Sequence, residues 1–295
     1  MTDTPISNTQ FARELWRRLE SIHAVTYFAP ETMEGARSLG VHGFWRAYFG
    51  FRAAPLGACS AGVVTAAFFG FSPAMVARAI PSVWELASPV DLINTRGASA
   101  AAALRRIASD ELSWLLNDGW PMQVLSEAIA NAKAGHLPLF LANRDVSQPD
   151  DPVVALWQAA TALREQRGDS HVATWAAMGF TPIEVAVLFV AAGGTTREAL
   201  QPNRGWSDDQ WSDTSSRLSD QGLLTADHVT TAAGNDVIAQ VESTTDTLAW
   251  SPFAELKTTD QQRLLDALEP ISRVIAQSET IPTVNPMGVR LIDDR

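Results

Sequence analysis

Apolar residues recur at helical spacing along most of the chain. Phe11, Leu15, Leu19 and Ile22 make one stripe of a first helix that Asn8 or Thr9 can cap and that runs to about Phe28. Trp16, Glu20, His23, Tyr27 and Glu31 fall on a neighbouring stripe if that helix persists. Pro30 ends or kinks it, and a second helical piece reaches Leu39, with Gly40 placed as a C-terminal stop. Phe44 to Phe51 is short and aromatic, and the longest apolar run, Ala58 to Phe71, reads as a buried helix. Ser72-Pro73 opens a helix toward Trp84, with Pro81 an interruption. Arg96-Gly97 reads as a turn, after which Ser99 caps a long helix to about Asn117; Pro121 begins another that ends near Gly135.

The second half carries the densest charge cluster, Leu163 to Pro182. Arg164, Glu165, Arg167, Asp169 and His171 lie within eight residues and run straight into an apolar, Trp-containing stretch. Thr181 is then an N-cap, Pro182 suits the first helical position, and Glu184 can close a capping box. Such a cluster joined to a buried helix suggests the lining of a site. The alternative is a helix end with ion pairs one turn apart. Farther on, a helix ends at Asp220-Gln221-Gly222, and Leu223-Leu224 and Val229-Thr230 flank a short turn. A new helix follows Thr231, giving the helix, hairpin, helix order of a winged helix.

The halves also echo one another. Phe44-Trp45 with Arg52 matches Leu156-Trp157 with Arg164, seven residues from Trp to Arg in each. Gly70-Phe71-Ser72-Pro73 matches Gly179-Phe180-Thr181-Pro182, and Arg96-Gly97-Ala98-Ser99 matches Arg204-Gly205-Trp206-Ser207. The expected fold is mainly α. It is a tandem duplication of two winged-helix-derived helical domains, residues 1–147 without a wing and residues 150–295 with a short β-hairpin wing. The polar, Pro-rich stretch Ser147 to Pro152 has linker composition.

Charge narrows the functional classes. Residues 1–147 carry 12 Lys+Arg and 12 Asp+Glu, whereas residues 148–295 carry 10 and 21. The acidic second half repels nucleic acid and anionic lipid. One cysteine, Cys59, excludes an internal disulfide and a Cys-based zinc site and suits a reducing, cytoplasmic location. The N-terminus shows no basic region before an apolar core, so no signal peptide is expected. No apolar run is long enough to span a bilayer.

The segments LREQRGDSH, NRGWS, GLL followed by TTAAG, and IPTVNPMG resemble an actinobacterial family of helix-turn-helix proteins of unknown function, as do HAVTYFAPE and FRAAPLG. Residues Thr181 to Thr245 are more loosely similar to winged helices of the multiple-antibiotic-resistance-regulator (MarR) type. That resemblance implies DNA binding, with Ser207 to Ser219 as the groove-reading helix. The residues there oppose it: Asp208, Asp209 and Asp213 face a single Arg217, and the wing turn carries Asp227 and no cation.

A small-molecule site is the preferred expectation. Ten tryptophans and scattered arginines suit an aromatic-lined pocket at the interface of the repeats, although most Trp residues can equally fill a core. The expected lining is Tyr27, Trp45, Trp157, Arg52, Arg164 and Arg167, and the expected ligand a small anionic or aromatic molecule. Arg52 and Arg164 can instead form structural ion pairs. A cofactor-independent enzyme is the alternative, with His171 oriented by Asp169, or His23, as acid or base. Because i,i+2 neighbours do not face each other on a helix, the Asp169–His171 pairing requires a turn at Gly168. A ligand-responsive MarR-like regulator is the third reading. No metal site or cofactor is expected: the single Glu-x-x-His pair, Glu20 and His23, lacks the second copy a di-iron site needs. Oligomeric state is not legible.

Overall fold

The computed structural model describes residues 6–285. It is built from helices, and no strand occurs among the described residues. Helix α1 (Asn8–Phe28) is capped by Ser7, one residue earlier than expected, through a full capping box with Gln10. Next come α2 (Pro30–Ser38), α3 (Phe44–Ala53) and α4 (Ala61–Phe68). Although apolar, α4 is not wholly buried: Val64, Ala67 and Phe68 face inward while Val63 is exposed. Helix α5 (Pro73–Ala77) is short and is followed by a 3-10 turn at Ser82–Glu85.

The turn expected at Arg96-Gly97 does not exist. Helix α6 (Pro89–Asp118) begins earlier, at the Ser88 cap, and runs through both residues. The glycine serves close packing, since a Cβ at Gly97 would lie 2.9 Å from the Val154 side chain of a later helix. Its sequence counterpart, Gly205, is a left-handed helix stop with φ 75°. This matched pair therefore does different work in the two halves. The match of Gly70–Pro73 with Gly179–Pro182 does the same work in both halves, as Ser72 and Thr181 each precede a proline in the first turn of a helix.

The chain continues with α7 (Trp120–Asn131), α8 (Pro138–Arg144) and α9 (Pro152–Ala177). Helix α9 is central. Leu156, Trp157 and Leu163 are buried, and so are Glu165, Arg167 and Asp169, so its charged cluster is not a solvated face. Helices α1, α6, α7 and α8 pack around it.

A second group of helices follows: α10 (Pro182–Ala191), α11 (Arg197–Arg204), α12 (Asp208–Asp220) and α13 (Ala232–Trp250). Trp175, Leu188, Leu200, Trp211, Leu218 and Val241 form its own small core. The expected hairpin contracts to one antiparallel bridge, Leu224 to Thr230. Leu224 is buried while Val229 is exposed, so one arm alone supplies an apolar edge; the polar turn Thr225–His228 closes through Thr225 N–H to Val229 O, 2.8 Å. Too few alternating residues flank the turn to propagate a ladder. The last helix, α14 (Thr258–Gln277), returns to α1, where Leu264, Leu268 and Ile271 join the main core with Phe11 and Leu15. That core draws residues from both sides of the 147–152 stretch, including Leu104 and Leu156.

Candidate ligand-binding site

A cavity of about 530 Å³ opens between α10, α11 and α13 on one side and the body made by α1, α3, α4 and α9 on the other. Its apolar wall includes Phe68, Phe71, Trp175, Val185, Phe189 and Leu200, and its polar wall includes Arg17, Tyr27, Tyr48, Arg52, Arg164 and Arg204. Asp169, His171 and Glu242 complete the acid–base lining.

The floor is an ion cluster. Arg52 donates from Nε and Nη2 to the two oxygens of Glu165, 2.8 and 2.9 Å, and from Nη1 to the Tyr48 hydroxyl, 3.2 Å. Arg164 donates to Glu20 at 3.1 Å and to Glu165 at 2.9 Å. Glu20 also accepts from the Trp16 indole, 3.1 Å. Burial disfavours the Glu165 carboxylate, but the two guanidiniums outweigh it and hold its pKa well below the usual range. The Arg52 guanidinium lies 4.3 Å from the Phe68 ring centre.

The remaining expected residues fall in several places. Tyr27, Arg52, Arg164, Asp169 and His171 line the large cavity. His23 lies behind Tyr27, its Nε2 2.8 Å from the Tyr27 hydroxyl and its Nδ1 2.9 Å from Thr161 Oγ1. Thr161 donates its own proton to the Trp157 carbonyl, so it accepts from His23 Nδ1–H, and Tyr27 donates to Nε2. Full burial, with Arg164 next in effect, pushes the His23 pKa well below its ordinary value. Trp157 packs beneath, stacked on His23, and Trp45 belongs to an aromatic cluster with Phe44, Tyr48 and Phe71; neither lines the large cavity. Arg167 points away toward Glu242 and Asp246, at 3.0 and 3.1 Å, and stacks on Trp16.

Asp169 and His171 do not pair, because α9 runs unbroken through Gly168. Asp169 accepts from the Phe140 N–H at the start of α8, 2.9 Å, and burial, followed by the nearby Glu165 charge, raises its pKa to about 7. His171 Nε2 accepts from the Trp175 indole at 2.9 Å, and Nδ1 is 3.2 Å from Thr245 Oγ1. Desolvation lowers its pKa to about 4 although 29% of its side chain stays open, as the opening is to the cavity.

Sequence reasoning missed Tyr48; Glu165 stood in the cluster read as a site lining, and Glu20 only on the helical stripe and in the Glu-x-x-His pair. Tyr48 and Arg52, and likewise Trp16 and Glu20, stand one helical turn apart, a readable signal. Arg204, read only as a repeat match, also lines the cavity. No local signal marks it, because the residues that seat it come from the other half. The Arg204 carbonyl accepts from Ser72 N–H at 2.8 Å, and its guanidinium lies 4.3 Å from the Phe71 ring centre. Trp206 donates to the Gly70 carbonyl, 3.3 Å. The motifs GFSP and NRGW thus meet at the cavity edge.

Compared with known families, residues 12–282 match the helix-turn-helix family. The chain belongs to that family. No curated protein and no solved structure matches it.

Helix α12 is the segment that the sequence comparison set as a groove-reading helix. It buries Trp211, Thr214, Ser215 and Leu218 and presents Asp208, Asp209, Asp213 and Asp220 outward with Arg217. Asp208 is held by Arg197 at 2.7 Å and Gln201 at 3.0 Å. Among the described residues no cluster of three or more His, Cys, Asp or Glu is arranged to hold a metal ion. No single described helix is long and apolar enough to cross a membrane.

Proposed function

We propose that this helix-turn-helix family member binds a small organic anion in the cavity between α10, α11 and α13 and its helical body. The observation that carries the reading is the cavity itself, which combines aromatic walls with an arginine-rich floor at a size suited to a small molecule. Both candidate histidines spend their ring nitrogens on protein partners, which favours binding over acid–base chemistry. The acidic exposed face of α12 supports a DNA-binding surface that has been lost.

The order α10, α11, α12, bridged turn, α13 supports a MarR-like winged-helix ancestry for the second half, with the wing reduced to one bridge. The similar openings of α5 and α10 are what remains in favour of a duplication. The lone cysteine fits a cytoplasmic protein.

The test is a thermal-shift and tryptophan-fluorescence screen of aromatic acids and other small metabolites, repeated with Arg164→Ala and His171→Ala. A hit that loses roughly tenfold or more in affinity, about 1.4 kcal/mol, without Arg164 supports the site. Hits indifferent to both substitutions contradict it. A second reading, a ligand-responsive regulator, is favoured by α10, α11 and α13 forming one side of the cavity. It requires ligand-dependent binding to duplex DNA.

A further inference from the structure

Pairing the charges around the cavity leaves a remainder. Arg13 and Arg167 are matched by Glu242 and Asp246, with Arg13 at 2.8 and 2.6 Å from them and Arg167 at 3.0 and 3.1 Å. Arg52 and Arg164 are matched by Glu165 and Glu20. Arg17 and Arg204 line the same cavity, and neither has a carboxylate at ion-pair distance among the described residues. The one acid left over is Asp169, which the Phe140 N–H already engages.

Arg204 is the better placed of the two. It is the last residue of α11, its backbone is tied to Ser72, and its guanidinium is laid over Phe71, so its position is fixed before any ligand arrives. Ring stacking contributes some stabilisation but does not neutralise the charge. Burial lowers the Arg204 pKa, with Arg52 and Arg164 adding repulsion; the Tyr48 phenol opposes the shift. The cation is therefore held in a poorly solvated place beside two others, where a ligand anion relieves more than it would in water. Phe68, Phe71, Phe189, Val185 and Leu200 line the same cavity with no competing charge of their own.

Resting on the cavity reading above, we infer that Arg204 is the anion anchor of this site and that its ligand is an aromatic carboxylate, a single planar carboxylate on a ring-bearing apolar body. A guanidinium fork matches a carboxylate with two parallel hydrogen bonds, and the Phe-rich wall takes the rings.

The experiment titrates the full chain with two probes of nearly equal shape, 2-naphthoate and its neutral analogue 2-naphthamide, and follows calorimetric heat together with tryptophan emission, to which Trp16 and Trp175 contribute from the cavity wall. The wild type is expected to bind the acid at least tenfold more tightly than the amide. Arg204→Gln is expected to erase that preference, and Arg204→Lys to restore part of it. The acid preference should also fall with added salt in the wild type, a readout independent of whether the variants fold. Amide binding with no gain for the acid, or an acid preference that survives Arg204→Gln, overturns the anchor and leaves the cavity reading standing. Failure of both probes to bind the wild type overturns the cavity reading, and the anchor with it.

Discussion

Glu165 grips Arg52 through two parallel hydrogen bonds of 2.8 and 2.9 Å and takes a third, from Arg164, at 2.9 Å. With 1% of its side chain exposed, this carboxylate ties α3 to α9 under the cavity. Removing only the acid leaves two guanidiniums facing each other with Glu20 as their nearest remaining counter-charge. Glu165→Gln should therefore destabilise the fold by about 3–5 kcal/mol, the range for breaking a buried pair from one side. Urea denaturation measures it, and a loss below about 1 kcal/mol would mean that the cluster is well hydrated.

Asp169 gives stability a slope on the alkaline side. Its folded pKa, about 7, lies above the 3.8 of an ordinary Asp. The folded state then holds a proton that the unfolded state has released, and stability falls as pH rises from about 4 through 7. Between pH 5.5 and 8 this amounts to at most about 2 kcal/mol. Asp169→Asn keeps an acceptor for Phe140 N–H and cannot ionise, so its melting temperature should fall less than that of the wild type over this interval. Parallel curves for the two proteins would refute the assignment.

His171 acts on the other limb. Its folded pKa, about 4, lies below the 6.5 of an ordinary His. The stability it contributes is full above about 6.5 and is lost as pH drops toward 4, because protonation must break the bond accepted from Trp175. His171→Gln should flatten the melting-temperature profile between pH 6.5 and 4.5, though not completely, because buried His23 is shifted the same way. A steeper acid limb in the variant would contradict this.

Much of this was readable in the residues, for physical reasons that can be named. Thr181, Pro182 and Glu184 are local chemistry, and Glu184 does reach back to the Thr181 N–H at 2.8 Å. The stripe Trp16, Glu20, His23, Tyr27 is a periodicity, and the first pair and the last pair of it are hydrogen-bonded one turn apart. What misled was glycine and range. Gly97 looks like a turn and instead lets α6 approach α9. Gly168 looks like a break, but α9 runs helical through it, held by α1, α6, α8 and α13 although Gly168 itself faces the cavity. Arg167 sits in the right cluster on the wrong face, three residues from Arg164 yet turned toward α13. Arg204 depends on Phe71 and Ser72, far away in sequence, and no local pattern encodes that meeting.

The outward face of α12 should fail to hold DNA. At low ionic strength, where phosphate contacts are strongest, labelled duplex should show no steeply salt-dependent binding. Arg197 already serves Asp208, so it is not free to contact a phosphate. A footprint, or affinity that collapses with added salt, would restore the DNA-reading role.

The most direct test of the account is to fill the cavity. Val172 lines it from α9 and is only partly buried, so Val172→Trp adds a ring into open space and leaves the ion cluster untouched. Calorimetric titration of any hit from the small-acid screen into the wild type and this variant, with melting temperatures as the folding control, gives the answer. The account predicts measurable binding to the wild type and a loss of at least tenfold in the folded variant, about 1.4 kcal/mol. Equal affinity for both proteins would place the ligand elsewhere and contradict it.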